Sequence, residues 1–118
     1  MSGSDLRSRV VAKAIRAHRL IVILRRVEPR ERLIELTTEL ADAGVRAFEI
    51  TLDAPTGASD LTAVRTHLSA RSDGPYLVGA GTILRREQLD AARQSGADFG
   101  VSPVLDVELV HAAETAAE

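Results

Sequence analysis

The residue with the most chemistry to offer is a carboxylate in apolar company. In "AFEITLDAP", Glu49 sits between Phe48 and Ile50 in a strand-forming run. Alternation puts Glu49 and Thr51 on one face and Phe48 and Ile50 on the other. A carboxylate so placed must be paired, hydrogen-bonded or protonated. Partial desolvation raises its pKa, and a carboxyl tuned towards neutrality makes a useful general acid or base. The plainer role is a Glu salt-bridged at a strand end, but this strand runs on through Ile50, Thr51 and Leu52.

Two further groups join it. "YLVGAGTILRREQL" (76–89) is an apolar strand that gives up its side chains at Gly79 and Gly81 and then presents Thr82. The glycines share one face, so they clear either an interior wall for a small ligand or an exterior wall for a close helix. Arg25 ends "LIVILR" (20–25), where a guanidinium can hold a carboxylate or phosphate in a forked pair; its neighbour Arg26 is expected to point elsewhere. His18, His67 and His111 fall in helical segments without ligand spacing, read as solvated, and predict no metal centre.

The elements that must position these groups alternate regularly. Strands are predicted at 20–25, 47–52, 76–81 and 98–102, with helical patterns between them. Leu33, Leu36, Leu40 and Ala43 mark one helix, closed by Gly44; Leu61, Val64 and Leu68 mark the next; Gly96 closes a third at about 85–95. A last helix follows Pro103 from about Asp106. Residues 5–19 form a basic amphipathic helix with Leu6, Val10, Val11, Ala14 and Ile15 on one stripe; packing on the domain is favoured over a transit peptide or membrane-surface helix. Helical crossovers make all four strands parallel, and no long linker divides residues 1–118, which read as a single α/β domain.

Two architectures use this pattern, a doubly wound sheet and a (β/α)8 barrel. "GAGTIL" meets only the first two positions of a dinucleotide-binding G-x-G-x-x-G and lies on the third strand, so no such cofactor is expected. The barrel explains more, because Gly79 and Gly81 then empty the interior and Thr82 stands at the rim that carries barrel chemistry.

Composition closes off other classes. Only 3% of residues are aromatic and the net charge is −2, which supplies neither a stacking surface nor an electrostatic field for nucleic acid or an anionic membrane. The absence of cysteine removes disulfides and thiolate chemistry and fits a cytoplasmic protein.

The order and spacing of "IVILR", "GVRAFEITL", "LVGAGTIL" and "SGADFGVSP" closely resemble the 2-keto-3-deoxy-6-phosphogluconate and 4-hydroxy-2-oxoglutarate aldolases, from about residue 9 onward. The resemblance implies a TIM-type (β/α)8 barrel, usually trimeric, and reversible cleavage of a 2-keto acid to pyruvate and an aldehyde through a lysine Schiff base. By resemblance Glu49 is the acid/base carboxylate, Thr82 contacts the pyruvate carboxylate, Arg25 is the strand-one arginine of the site, and Pro103 lines it after strand four.

Two departures stand out. Many members carry an arginine four residues after the catalytic Glu, where this chain has Asp53. The family also places its imine lysine on strand six, whereas the only lysine here is Lys13, on the helix before strand one. The expectation is therefore the N-terminal half of an aldolase barrel, an N-terminal helix plus four βα units, inactive by itself. The alternatives are a non-catalytic half-barrel that binds anions or self-associates, and, less in keeping with the histidines, a metal-dependent aldolase.

Overall fold

A computed structural model describes residues 3–115 of the protein. Helix α1 (Gly3–His18) leads into β1 (Val22–Leu24), α2 (Arg30–Asp42), β2 (Ala47–Thr51), α3 (Gly57–Ser69), β3 (Leu77–Gly81), α4 (Arg86–Gln94) and α5 (Val107–Thr115). The strands pair in parallel in the order β1-β2-β3.

Register makes the sheet two-faced. Val22 and Leu24 lie beside Phe48 and Ile50, which lie beside Val78 and Ala80. This apolar row packs with Leu33 and Ala41 of α2, Leu61, Val64 and Leu68 of α3, and Leu89 and Ala92 of α4 in one core. Each Leu, Val, Ile or Phe among them contributes about 1.5–3 kcal/mol when fully buried. The opposite face carries Ile23, Glu49, Thr51, Gly79 and Gly81. Strands in sequence order, with their helices on one face, lack the order reversal of a doubly wound sheet. They are compatible with part of an α/β barrel wall.

The helical caps fall where the sequence places them. Gly44 and Gly96 follow the C-caps Ala43 and Ser95 with φ of +107° and +82°, the left-handed turn that glycine adopts without strain. Within α2 the innermost row is Leu33, Thr37 and Ala41, while Leu36 and Leu40 are only partly buried. Thr37 tolerates full burial because its hydroxyl donates to the Leu33 carbonyl at 2.8 Å.

Three expectations change. The strand predicted at 98–102 is reduced to a single bridge, Ala80 to Gly100. Its backbone still follows β3: Asp98 N donates to Val78 O, Ala80 N to Phe99 O, and Val101 N to Ala80 O, all within 2.9 Å. With pairing on one side only and no side chain at Gly100, the segment leaves the ladder before Ser102. Strand β1, paired only with β2, likewise shortens from 20–25 to Val22–Leu24. The third concerns α1, whose stripe packs only in part: Val11, Ala14 and Ile15 are half-buried, but Leu6 and Val10 are exposed. No helix among the described residues is long and apolar enough to cross a membrane.

Candidate active site

Glu49 occupies the middle of β2 with Ile23 on one side and Gly79 on the other, and is only 6% exposed. Its carboxyl lies over Gly81, where a Cβ would overlap Oε2 and stand 2.6 Å from Cδ. Burial pushes the carboxyl above the ordinary glutamate value, and the positive charge of Arg25 pulls part of the way back. Partial desolvation tempered by one cation holds the group nearer neutrality, as acid/base work requires.

The sequence expects Gly79 and Gly81 to clear space for a ligand. In the structure that space is filled by protein. The Glu49 carboxyl occupies the room over Gly81, and the Phe99 ring occupies the room over Gly79, in contact with where a Cβ would be. The two glycines therefore seat the carboxylate and an apolar wall beside it. Phe99 is the site residue that sequence reasoning missed. Its signal was its alignment with the glycine strand, since Ala80 N donates to its carbonyl.

Arg25 and Thr82 do meet. Arg25 Nη1 donates to Asp53 Oδ2 at 2.7 Å and Nη2 donates to Thr82 Oγ1 at 3.3 Å. Because the arginine supplies that proton, the Thr82 O–H remains available to an incoming acceptor. Thr82 has φ +56°, a conformation in which a β-branched residue is strained. It is held by its neighbours: Leu52 N donates to Gly81 O at 2.9 Å and Ile83 N to Val101 O at 3.1 Å. The Gln88 side chain accepts from Leu84 N and Arg85 N, at 2.7 and 3.0 Å, and fixes the turn after Thr82 to the start of α4. Gln88 also went unread, although a glutamine three residues after a helix cap is a capping signal.

Arg26 does not point elsewhere. Its Nε donates to Asp53 Oδ2 at 3.3 Å and its Nη2 to the Asp53 carbonyl at 2.8 Å, so one carboxylate bridges two guanidiniums. The Asp53 carboxyl is held below the usual carboxylate range, chiefly by the nearby Thr51 hydroxyl; burial opposes this, and Arg26 and Arg25 add smaller lowering effects. The Thr51 influence is a near approach and not a formed bond: Thr51 Oγ1 and Asp53 Oδ1 are both buried without a hydrogen-bond partner.

The other candidates lie apart. Pro103 is exposed in the turn before α5, and no described contact joins it to the cluster. Lys13 is exposed on α1, the helix that Arg7 ties to Asp98 at 3.0 Å, on the side where the strands begin. His67 is not merely solvated, since its Nε2 lies 2.8 Å from Thr38 Oγ1 between α2 and α3. Among the described residues no group of three or more His, Asp or Glu is placed to hold a metal ion.

A buried carboxylate at mid-strand, with an arginine and a strained threonine just past the C-terminal ends of the neighbouring parallel strands, thus lies in a chain whose sheet is compatible with part of an α/β barrel. A family model described as KDPG and KHG aldolase matches residues 11–117, and the chain belongs to that family. It is 36% identical over 94 residues to the 2-dehydro-3-deoxy-6-phosphogalactonate aldolase of Escherichia coli, a match covering 80% of this chain and 43% of that protein. The 2-keto-3-deoxy-6-phosphogluconate aldolase of Zymomonas mobilis, solved with 3-phosphoglycerate, superposes with a TM-score of 0.72 at 27% identity, over 88% of this chain and 47% of the other. The KDPG aldolase of Legionella pneumophila, solved with pyruvate captured as a covalent carbinolamine, gives 0.71 at 25%, over 80% and 43%. The chain thus spans less than half the length of the relatives it matches.

Proposed function

We propose that this chain supplies the acid/base and carboxylate-binding wall of a class I aldolase acting on 2-keto-3-deoxy-6-phosphogluconate or a related 2-keto acid. In that reading it forms the first four βα units of a (β/α)8 barrel in a cytoplasmic homo-oligomer, a trimer as in the family it resembles. The observation that carries the proposal is Glu49, buried at mid-strand with its carboxyl seated on Gly81 and raised in pKa while a single arginine stands near.

The residues divide the work. Thr82 donates its free O–H to the keto-acid carboxylate, and Arg25, which already contacts Thr82, supplies the positive charge. Glu49 moves protons, first at the carbinolamine and then at the aldol bond. There it takes the C4 hydroxyl proton as the C3–C4 electron pair passes into the imine, and C4 leaves as an aldehyde such as glyceraldehyde 3-phosphate. The resulting enamine is protonated and its imine hydrolysed by water to pyruvate. The imine nitrogen comes from a lysine outside these 118 residues, because the single lysine, Lys13, is exposed on α1 and not desolvated. By itself the chain is then inactive.

Reductive trapping tests this. Incubated with pyruvate and borohydride, the 118-residue chain should keep its mass. A chimera in which residues 11–115 replace the matching segment of the Escherichia coli relative should gain one pyruvate adduct, located outside the transplanted segment. An adduct on Lys13, or a chimera that folds but never labels, would overturn the assignment.

A further inference from the structure

Two atoms at the site complete no hydrogen bond. Thr51 is 2% exposed, yet its Oγ1 has no hydrogen-bond partner, and the same is true of Asp53 Oδ1. Buried orphan polar atoms are uncommon, and two side by side at a reactive centre call for a reason. Thr51 shares a face with Glu49, two residues along β2, and stands opposite Gly81, which offers no side chain to meet it. The other Asp53 oxygen, Oδ2, is already shared by Arg25 and Arg26. Oδ1 thus remains a charged acceptor with spare lone pairs, approached by the Thr51 hydroxyl without a completed hydrogen bond.

Resting on the keto-acid reading above, the geometry points to a hydroxyl-recognition subsite formed by Thr51 and Asp53, which selects a polyhydroxylated 2-keto acid over a dicarboxylic one. The chemistry of the pair dictates the ligand group. A carboxylate or phosphate only accepts, and it is repelled by Asp53. An ammonium only donates, which leaves the Thr51 proton unused. A hydroxyl does both, donating to Asp53 Oδ1 while accepting from Thr51 Oγ1, and satisfies both orphans at once. In this state the two atoms are sealed from solvent. The groups that engage Asp53 are the side chains of Arg25 and Arg26, each more than half exposed. A keto-acid carboxylate that draws Arg25 towards itself loosens that cover, so the subsite opens with the arrival of its substrate. Asp53, standing where many relatives have arginine, then changes which aldehyde half is accepted.

The test is a set of binding titrations on the 118-residue chain, followed by NMR at the Thr51 and Thr82 methyl groups. The probes are 2-keto-3-deoxygluconate, 2-oxohexanoate (the same carbon chain without hydroxyls) and 2-oxoglutarate. The hydroxylated acid should bind roughly tenfold more tightly than 2-oxohexanoate, the ordinary worth of a hydrogen-bonded hydroxyl, and should shift the Thr51 methyl. The dicarboxylate should bind most weakly. In Thr51→Val, which keeps the shape, the preference for the hydroxylated acid should collapse towards one, and Thr51→Ser should restore it. Equal affinities for the two six-carbon acids, with the Thr82 methyl still shifting, would overturn the subsite while leaving the keto-acid reading intact; Thr51 and Asp53 would then only hold each other or a water. A preference that survives in Thr51→Val would overturn it as well. If no acid shifts the Thr82 methyl, the keto-acid reading falls and the subsite falls with it.

Discussion

Replacing Gly81 by alanine drives a methyl group into the Glu49 carboxyl. The new Cβ would stand 2.6 Å from Cδ and 2.9 Å from Cγ, with Oε2 nearer still. Overpacking of this kind costs about 1–3 kcal/mol, and alanine returns roughly 0.5–1 kcal/mol through the backbone entropy that glycine loses. Because the obstructing atoms end a rotatable side chain, the low end of about 1 kcal/mol applies, leaving a net loss of roughly 0–0.5 kcal/mol, or at most about 2 °C in Tm for a domain of this size. The larger effect is on titration. Burial holds the Glu49 pKa above 4.5, so the folded state binds more protons than the unfolded one, and stability falls as pH rises from the ordinary value through the raised one. Pushing the carboxyl outward lowers its pKa and flattens that slope. Urea melts across this pH window, with the Glu49 carboxyl carbon followed by NMR, measure both effects. Glu49→Ala removes every obstructing atom, so the double variant Gly81→Ala/Glu49→Ala should exceed the sum of the singles by about 1 kcal/mol. Additivity within about 0.3 kcal/mol, with an unmoved Glu49 titration, would show that the carboxyl does not rest on Gly81.

Gly79→Ala meets the rigid Phe99 ring instead and should cost about 1–3 kcal/mol, relieved by adding Phe99→Ala; a neutral Gly79→Ala in thermal melts would refute that contact. Asp98, nearly buried and bonded to Arg7, Arg65 and the Val78 amide, anchors the bridge segment, so Asp98→Ala should lose roughly 1–3 kcal/mol in urea melts by stranding a buried backbone donor. Asp53 has a lowered pKa, so its contribution is present above its unfolded value and lost as pH falls through the folded one; Asp53→Asn should remove that acid-side loss. Leu61→Ala, at a fully buried core position, should cost about 2–5 kcal/mol by denaturant melts.

The helix-facing half of the fold was legible because its signals are local. The stripe Leu61, Val64 and Leu68 and the glycines after α2 and α4 all act where a 3.6-residue period or a left-handed turn places them. Glu49 was legible because a charge in an apolar strand admits few explanations. The failures come from contacts that no period encodes. What fills the space above a glycine depends on which distant side chain arrives, and here Phe99 and the Glu49 carboxyl arrived at Gly79 and Gly81. The pairing of Asp53 with both Arg25 and Arg26 joins positions 28 and 27 residues apart, and the bend that starts at Thr82 is what brings its hydroxyl to Arg25. The bridge at Gly100 was read as a full strand because its composition is strand-like, while its length is set by pairing with β3 on one side alone.

The claim at the centre is that Glu49 carries the proton. Glu49→Gln keeps the size and most hydrogen bonds of the side chain while removing the titrating group. In the chimera that joins residues 11–115 to the remainder of the Escherichia coli relative, turnover of a 2-keto-3-deoxy acid should fall by roughly 10²–10⁴-fold, the usual worth of a positioned acid/base group, with melting behaviour retained and the pH dependence assigned to Glu49 gone. A folded Glu49→Gln chimera that turns over at nearly the parent rate would contradict it and make Glu49 a structural residue.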